Sequence, residues 1–427
     1  MTESKISRRR LLGTAAAAGA VSTFFGPWKA NSALAQSEKP IKIGITSDAS
    51  GQYANSGASD RRGMLMAIEE ANAKGGVLGR RIEHVHIDTE TTPATGSRVA
   101  ERMITREECG FLMGAVSSGV ANAISQVAQR YGVIYMNTNS SSPSESGADC
   151  HRTKFVWDGN GTNFAKAAVK NSIDAYGGNF LLLTNDYGWG HDTAAATRKL
   201  IEQYGGQVVD EILVPQGTRD FTSALLSIQQ ANPSVVAAAV GGDDLASLRQ
   251  QVAQLNMGST PAWINNQQDW PDVYGLPLAN LFGVFGTTWY YGLDLPGVKE
   301  FVARYQEMYP DTGMRVPGNV FYNGYMATKE LLAAIERADS TNNIAVIKAL
   351  EGHKMSAADR MQHHDAYIDP NTHQVQQTIY LATANPAPKE DYDMFSILTQ
   401  SAPEDVVDEG SAVCALESYE DTPSFDA

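Results

Sequence analysis

From Ile41 onward the chain alternates short runs rich in β-branched residues with longer stretches in which apolar side chains recur every three or four positions. Residues 41–45 read as a strand, 60–73 as a helix with Met64, Leu65, Ala67 and Ile68 on its inward face, and 81–88 as the next strand. A helix over 95–105, a strand over 111–113, a helix over 120–130 and a strand over 133–136 continue the cycle. This is the βαβ rhythm of a parallel sheet covered on both faces. A second series starts after the turn residues Asp158, Gly159, Asn160 and Gly161. Helices over 163–176, 192–204, 221–231 and 244–255 alternate there with strands over 179–183, 207–214, 235–240 and 262–264. Segments 281–287, 297–308, 320–337 and 344–351 return to the same alternation, and the acidic tail from Ser401 reads as an extended strap. The chain has 427 residues, more than one hydrophobic core usually organises, so two α/β lobes are expected.

The N-terminus breaks this pattern. Ser7, Arg8, Arg9, Arg10, Leu11 and Leu12 precede an Ala/Gly-rich apolar stretch that runs to about Phe25, and Ala33-Leu34-Ala35 supplies a small-x-small site. That layout predicts a twin-arginine export signal over 1–35, cleaved after Ala35, rather than a membrane anchor. The first cysteine is Cys109, so no thiol stands near the cleavage site to take a lipid. The expected location is the periplasm, free of the membrane, since no later stretch approaches the roughly 20 apolar residues needed to cross a bilayer.

The formal net charge is −15, and removing residues 1–35 leaves 28 basic against 47 acidic residues. Such a balance argues against nucleic acid or an anionic membrane surface as partner. In an oxidising compartment Cys150 and Cys414 are the pair to expect, stapling the tail to the body. Three free thiols are the alternative, because sequence does not fix connectivity.

In open parallel sheets ligands collect outside the carboxyl ends of the strands, which directs attention to five loops. One carries Asp48, Ser50, Gly51, Gln52 and Tyr53. The next, Gly114 to Gly119, opens a helix, where free amides, the helix dipole and the hydroxyls of Ser117 and Ser118 could seat an anionic group; ordinary helix capping is the plainer use of those serines. The third is the polar run 137–142 with Asn139 and Ser140. The other two, 185–190 and 241–244, bring Tyr187, Trp189 and Asp243 to the rim.

Enzyme signatures fail in turn. Gly159-Asn160-Gly161 lacks the third glycine of a dinucleotide fingerprint, and neither a Gly-x-Ser-x-Gly elbow nor a Gly-Lys-Ser/Thr phosphate loop occurs. No cofactor is expected. The strongest case for a metal rests on His84, His86 and Asp88 alternating along one strand, with a second cluster at His363, His364, Asp365 and His373. Strand alternation alone would give the first a polar outer face, and the second falls in a polar loop.

Ile41-Lys42-Ile43-Gly44, then Ser50-Gly51-Gln52-Tyr53-Ala54, Gly63, Ala67 through Asn72, and Gly75-Gly76-Val77-Leu78-Gly79-Arg80 resemble the start of the leucine/isoleucine/valine-binding protein family. These are the type I periplasmic solute-binding proteins of ABC importers. Asp88, Gly114 through Ser118, and Asp186-Tyr187-Gly188-Trp189-Gly190 extend the likeness, which spans about residues 40–400.

The resemblance implies a monomer of two Rossmann-like lobes with parallel sheets, joined by three hinge crossovers near 158–161, 287–289 and 359–361. The expected boundaries are 36–159 plus 288–359 for the N-terminal lobe, 160–287 plus 360–400 for the C-terminal lobe, and 401–427 for the strap. A small solute would be held in the cleft and passed to an ABC permease and its ATPase, or, in the alternative, sensed on behalf of a chemoreceptor or sensor kinase. By position, the resemblance puts a ligand carboxylate near Ser118, Gly119, Asn139 and Ser140, and makes Tyr187 a lid. Asp243 is the nearest acid for an ammonium group. Asn266 and Gln267 stand where an acid would serve an α-amino acid, which sits poorly with that ligand. Tyr53, Trp189, Trp289 and Tyr322 are further candidates for stacking or apolar contact.

Overall fold

The structure, a computed structural model, describes residues 39–408 and 413–427. The export signal and cleavage site expected over 1–35 lie outside the described residues.

The first sheet is built from β1 (Ile41–Ile45), β2 (Ile82–His86), β3 (Phe111–Gly114), β4 (Ile134–Asn137) and β5 (Lys154–Val156). Their spatial order is β2-β1-β3-β4-β5 and every pairing is parallel. β3 and β4 are buried at every position, which is why they read as continuous apolar runs rather than alternating ones. Helices α1 (Ala54–Ala73), α2 (Pro93–Thr105) and α3 (Ser118–Tyr131) make the crossovers. Pro93 opens α2, where its missing N–H costs nothing, and Gly132 closes α3 in the left-handed region at φ 70°.

The second sheet follows the same plan. Asn160 caps α4 (Gly161–Tyr176) by accepting hydrogen bonds from the amides of Thr162 and Asn163. Then come β6 (Asn179–Asn185), α5 (Gly188–Gln203), β7 (Gln207–Val214), α6 (Thr222–Ala231), β8 (Val235–Ala239), α7 (Gly242–Gln254), β9 (Ala262–Asn265), α8 (Trp270–Val273) and β10 (Val284–Thr287). β7-β6-β8-β9-β10 run parallel.

After β10 the chain returns to the first sheet through α9 (Val298–Met308), α10 (Asn319–Ala338) and α11 (Asn343–Leu350). α10 lies against α1 at backbone contact. A Cβ on Gly63 would stand 2.1 Å from the Phe321 carbonyl oxygen, and one on Gly324 2.5 Å from that of Asp60, so no side chain fits at either position. A small antiparallel sheet follows, made of β11 (Lys354–Met355), β12 (Ala366–Ile368) and β13 (Val375–Gln376), with α12 (Ala357–Arg360) after its first strand. β14 (Ile379–Ala384) and β15 (Phe395–Ser401) then re-enter the second sheet as antiparallel edge strands, and α13 (Pro403–Val406) packs on α4.

Two α/β lobes with largely parallel sheets are therefore present, and the chain passes between the sheets three times. The passes lie side by side and are tied by glutamines. Gln377 Nε2 donates to the Trp157 carbonyl at 2.7 Å, Gln362 Nε2 to that of Thr288 at 2.8 Å, and Gln374 Nε2 to that of Asp158.

Two features differ from the sequence reading. α1 begins at Ala54, six residues early, because small polar residues such as Ser56 and Ser59 are buried in its first turns and erase the apolar period. The stretch 366–376, which the expected boundaries put in the C-terminal lobe, contributes two strands of the small sheet and bridges to Val156 at Gln374. The strand that enters the second sheet starts at Ile379. Strands of two or three residues carry no readable period.

The tail, read as an extended strap, includes the helical turn α13 and is anchored through side chains. Asn163 Nδ2 donates to the Val406 carbonyl at 2.7 Å, Cys150 is bonded to Cys414, Glu417 accepts from the Arg152 amide at 2.7 Å, and Arg80 donates to the Ala427 carbonyl at 2.9 Å.

Candidate functional site

A cavity lies where the carboxyl ends of the two sheets face each other. From the first sheet it is lined by Tyr53 beyond β1, Val116 beyond β3, and Asn139 and Ser141 beyond β4. From the second come Tyr187 and Trp189 beyond β6, Gly241 beyond β8, and Gln267, Asp269 and Asp272 beyond β9. Each lining residue thus sits just past a parallel strand, as the strand-end rule requires. The cavity is about 20 Å³, room for a water or two.

Hydrogen bonds across it hold the two sides together. The hydroxyls of Tyr53 and Tyr187 share one, Ser141 Oγ donates to Gln267 Oε1, Gln52 Nε2 donates to the Gly241 carbonyl at 2.8 Å, and Ser56 Oγ donates to Asp272 Oδ1 at 2.9 Å. Gln267 also donates from Nε2 to Asp158 Oδ2 at 2.7 Å, linking the cavity to the first chain pass.

The lining contains two carboxyl groups and no lysine, arginine or histidine. Asp269 Oδ1 accepts from Asn319 Nδ2 at 2.8 Å and from Gln267 Nε2 at 3.3 Å, and both of its hydrogen bonds fall on that one oxygen. Asp272 accepts from Ser56 and, at 2.9 Å, from the Gly242 amide. Burial pushes Asp269 up to about 6 and Asp272 well above the usual carboxylate range, the charge of Asp269 adding to the second shift. Beneath the cavity Asp60 on α1 accepts from Ser47 Oγ at 2.7 Å, Thr138 Oγ1 at 3.0 Å and Asn139 Nδ2 at 2.8 Å; burial still raises it to about 8.

The structure brings five of the sequence-predicted residues to the cavity: Tyr53, Asn139, Tyr187, Trp189 and Gln267. The others are engaged elsewhere. Asp48 accepts from the amide of Val116 at 3.2 Å and from that of Ser117, so a carboxylate of the chain itself fills the turn leading into α3. Ser118 Oγ accepts from the Ser142 amide and bonds Glu145, and Ser140 Oγ donates to Glu145. Gly119 packs near Pro93. Asp243 is ion-paired with Arg219 at 2.9 Å. Trp289 and Tyr322 stack at 4.9 Å between ring centres, both fully buried, with the Tyr322 hydroxyl on the Arg360 carbonyl.

Sequence reasoning marked the loops holding Val116, Ser141 and Gly241 without choosing those residues. It missed Asp269 and Asp272, although both follow a strand that the same rule singles out.

Members of both histidine clusters are engaged by other partners. His86 bonds Arg61 through Nδ1 and the Ser47 carbonyl through Nε2, each at 2.9 Å, while Asp88 accepts from Ala49, Ser50 and Glu90. His363 bonds Tyr380, His364 bonds Thr378, and His373 bonds Lys154 and Glu351. Among the described residues no group of three His, Cys, Asp or Glu side chains is placed to hold a metal, and no helix is long and apolar enough to cross a membrane.

Residues 40–391 match the family model described as "Periplasmic binding protein". A Leu/Ile/Val-binding protein homolog from Brucella abortus is 26% identical over 354 residues, covering 78% of this chain and 86% of the relative. Among solved structures, a periplasmic binding protein from Burkholderia mallei superposes with a TM-score of 0.81 at 23% identity, over 89% of this chain and 99% of that one. An ABC-transporter solute-binding protein from Rhodopseudomonas palustris, in complex with 3,4-dihydroxybenzoic acid, gives 0.76 at 21% identity, over 87% and 99%.

Proposed function

The chain belongs to the periplasmic binding protein family, and from that premise we propose that it captures a small organic solute outside the cytoplasmic membrane and delivers it to an ABC importer. Family and fold are those of solute-binding proteins rather than enzymes. The observation that carries the proposal is the cavity between the strand ends of two sheets, closed by hydrogen bonds whose donors and acceptors come from opposite sides. Parting those pairs opens the cleft; a solute that replaces them from within holds it closed.

Bending falls to the three chain passes that Gln362, Gln374 and Gln377 tie together, and the change in outer surface on closure is what the permease reads. The proposed holding residues are Tyr53, Asn139, Ser141, Tyr187, Trp189, Gln267, Asp269 and Asp272. Export by the twin-arginine signal puts the protein in the periplasm, and its negative charge keeps it from phospholipid headgroups. The solute is drawn from amino acids and small carboxylates, aromatic ones included, as the names of the relatives suggest, or from small amides.

A thermal-shift screen with amines, amino acids, amides, urea and aromatic acids tests this. A solute present at a hundredfold its Kd stabilises the folded state by about 2.7 kcal/mol, and so raises Tm by a few degrees. One class doing so is the expected result; a flat response to all of them counts against solute capture.

A further inference from the structure

We propose that the solute presents a positively charged nitrogen to Asp269 and carries no free carboxylate. This rests on the solute-capture reading and changes its solute range: an amine without a carboxylate lies outside the amino acids, amides and small carboxylates. The cavity wall supplies two carboxyl groups, hydroxyls, amides and three aromatic rings, with no cationic side chain to meet an anion. Asp269 is 7% exposed and lines the cavity, yet its Oδ2 makes no hydrogen bond, both bonds of that side chain falling on Oδ1. That oxygen is free to accept, and an N⁺–H donor on a solute would give it a charge-assisted bond. Tyr53, Tyr187 and Trp189 complete the match, since aromatic faces attract cations, the more so where water is excluded.

The position from which an anion would be held points the same way. The turn before α3 offers backbone amides, but those of Val116 and Ser117 already serve Asp48, fully buried and held also by Thr89. A solute carboxylate placed there would meet a second carboxylate within the same few ångströms, with no arginine or lysine in the cavity wall to offset the repulsion.

The test measures binding of propylammonium, tetramethylammonium, propionate and leucine to the full-length protein after unfolding, dialysis and refolding, by calorimetry and thermal shift. At least one ammonium probe is expected to bind and raise Tm, with propionate and leucine inert. Asp269→Asn, which keeps the side chain's shape, is expected to weaken the ammonium probe by roughly tenfold or more. Tighter binding of propionate or leucine than of either ammonium, or no binding of either ammonium, overturns the inference. In the first of those cases solute capture stands and only the charge assignment falls. If Asp269→Asn fails to fold, the ranking of the four probes on the unaltered chain decides alone.

Discussion

Asp48, Asp60, Asp158, Asp269 and Asp272 are all in or beneath the cleft, and burial shifts each of them upward. Asp60 and Asp158 reach about 8, against 3.8 for an unperturbed aspartate. Between those values the folded chain keeps a proton that the unfolded chain releases. The stability this contributes is complete below about 3.8 and is lost as pH rises towards 8. His86, which burial lowers, has the opposite sign, but its stabilisation fades only as pH falls below about 6.5. Burial raises Glu145 and lowers Lys154, so their contributions to the pH dependence have opposite signs. Thermal unfolding should therefore give a lower Tm at about pH 8 than at about pH 6.5, and Asp60→Asn should shrink the difference. An equal or higher Tm at the upper pH would contradict the account. None of these shifts was legible in the sequence, because burial of an aspartate in α1 or after β9 depends on what the fold brings over it.

Helices and strands were far easier to read than their ends. The βαβ alternation identified both sheets because their central strands, such as β3, β4 and β8, are fully buried apolar runs. The small sheet β11-β12-β13 escaped because its strands are too short, and the start of α1 because its first turns bury polar residues. The tail is the element with the plainest test. Its bond between Cys150 and Cys414 spans 264 residues of sequence, a long loop in the unfolded chain. Losing a native disulfide costs about 2–5 kcal/mol in small secreted domains. Here Glu417 on His151 and Arg152, and Ala427 on Arg80, keep hold of the tail after the bond is gone, which places the cost near the lower end. Cys414→Ser should lower Tm by a few degrees and remove any further effect of reductant. An unchanged Tm would mean that the remaining contacts carry the tail alone. Cys109 is buried with its thiol pushed up to about 12, so it should stay unreactive in the folded protein.

At the scale of the molecule, two sheets meet at their carboxyl ends around one cavity, and the rule that ligands gather at strand ends led to most of its wall before any contact was known. What it could not give was which member of each loop turns inward. Ser118 and Ser140 point to Glu145 while Ser141, in the same polar run as Ser140, reaches across to Gln267. Nor could it separate rim from interior: Asp243 pairs with Arg219 beside the cleft, and Asp269 lies inside.

The central claim is that the cleft around this cavity, once its cross-cleft hydrogen bonds part, takes up one solute per chain. The most direct measurement is to empty the protein by unfolding and dialysis, refold it, expose it to a metabolite extract, repurify it, and identify by mass spectrometry what it releases on denaturation. The account predicts one species enriched to near one per chain, and lost in Ser141→Trp, which fills the cavity. No enrichment on the unaltered protein, or the same enrichment on Ser141→Trp, would contradict it.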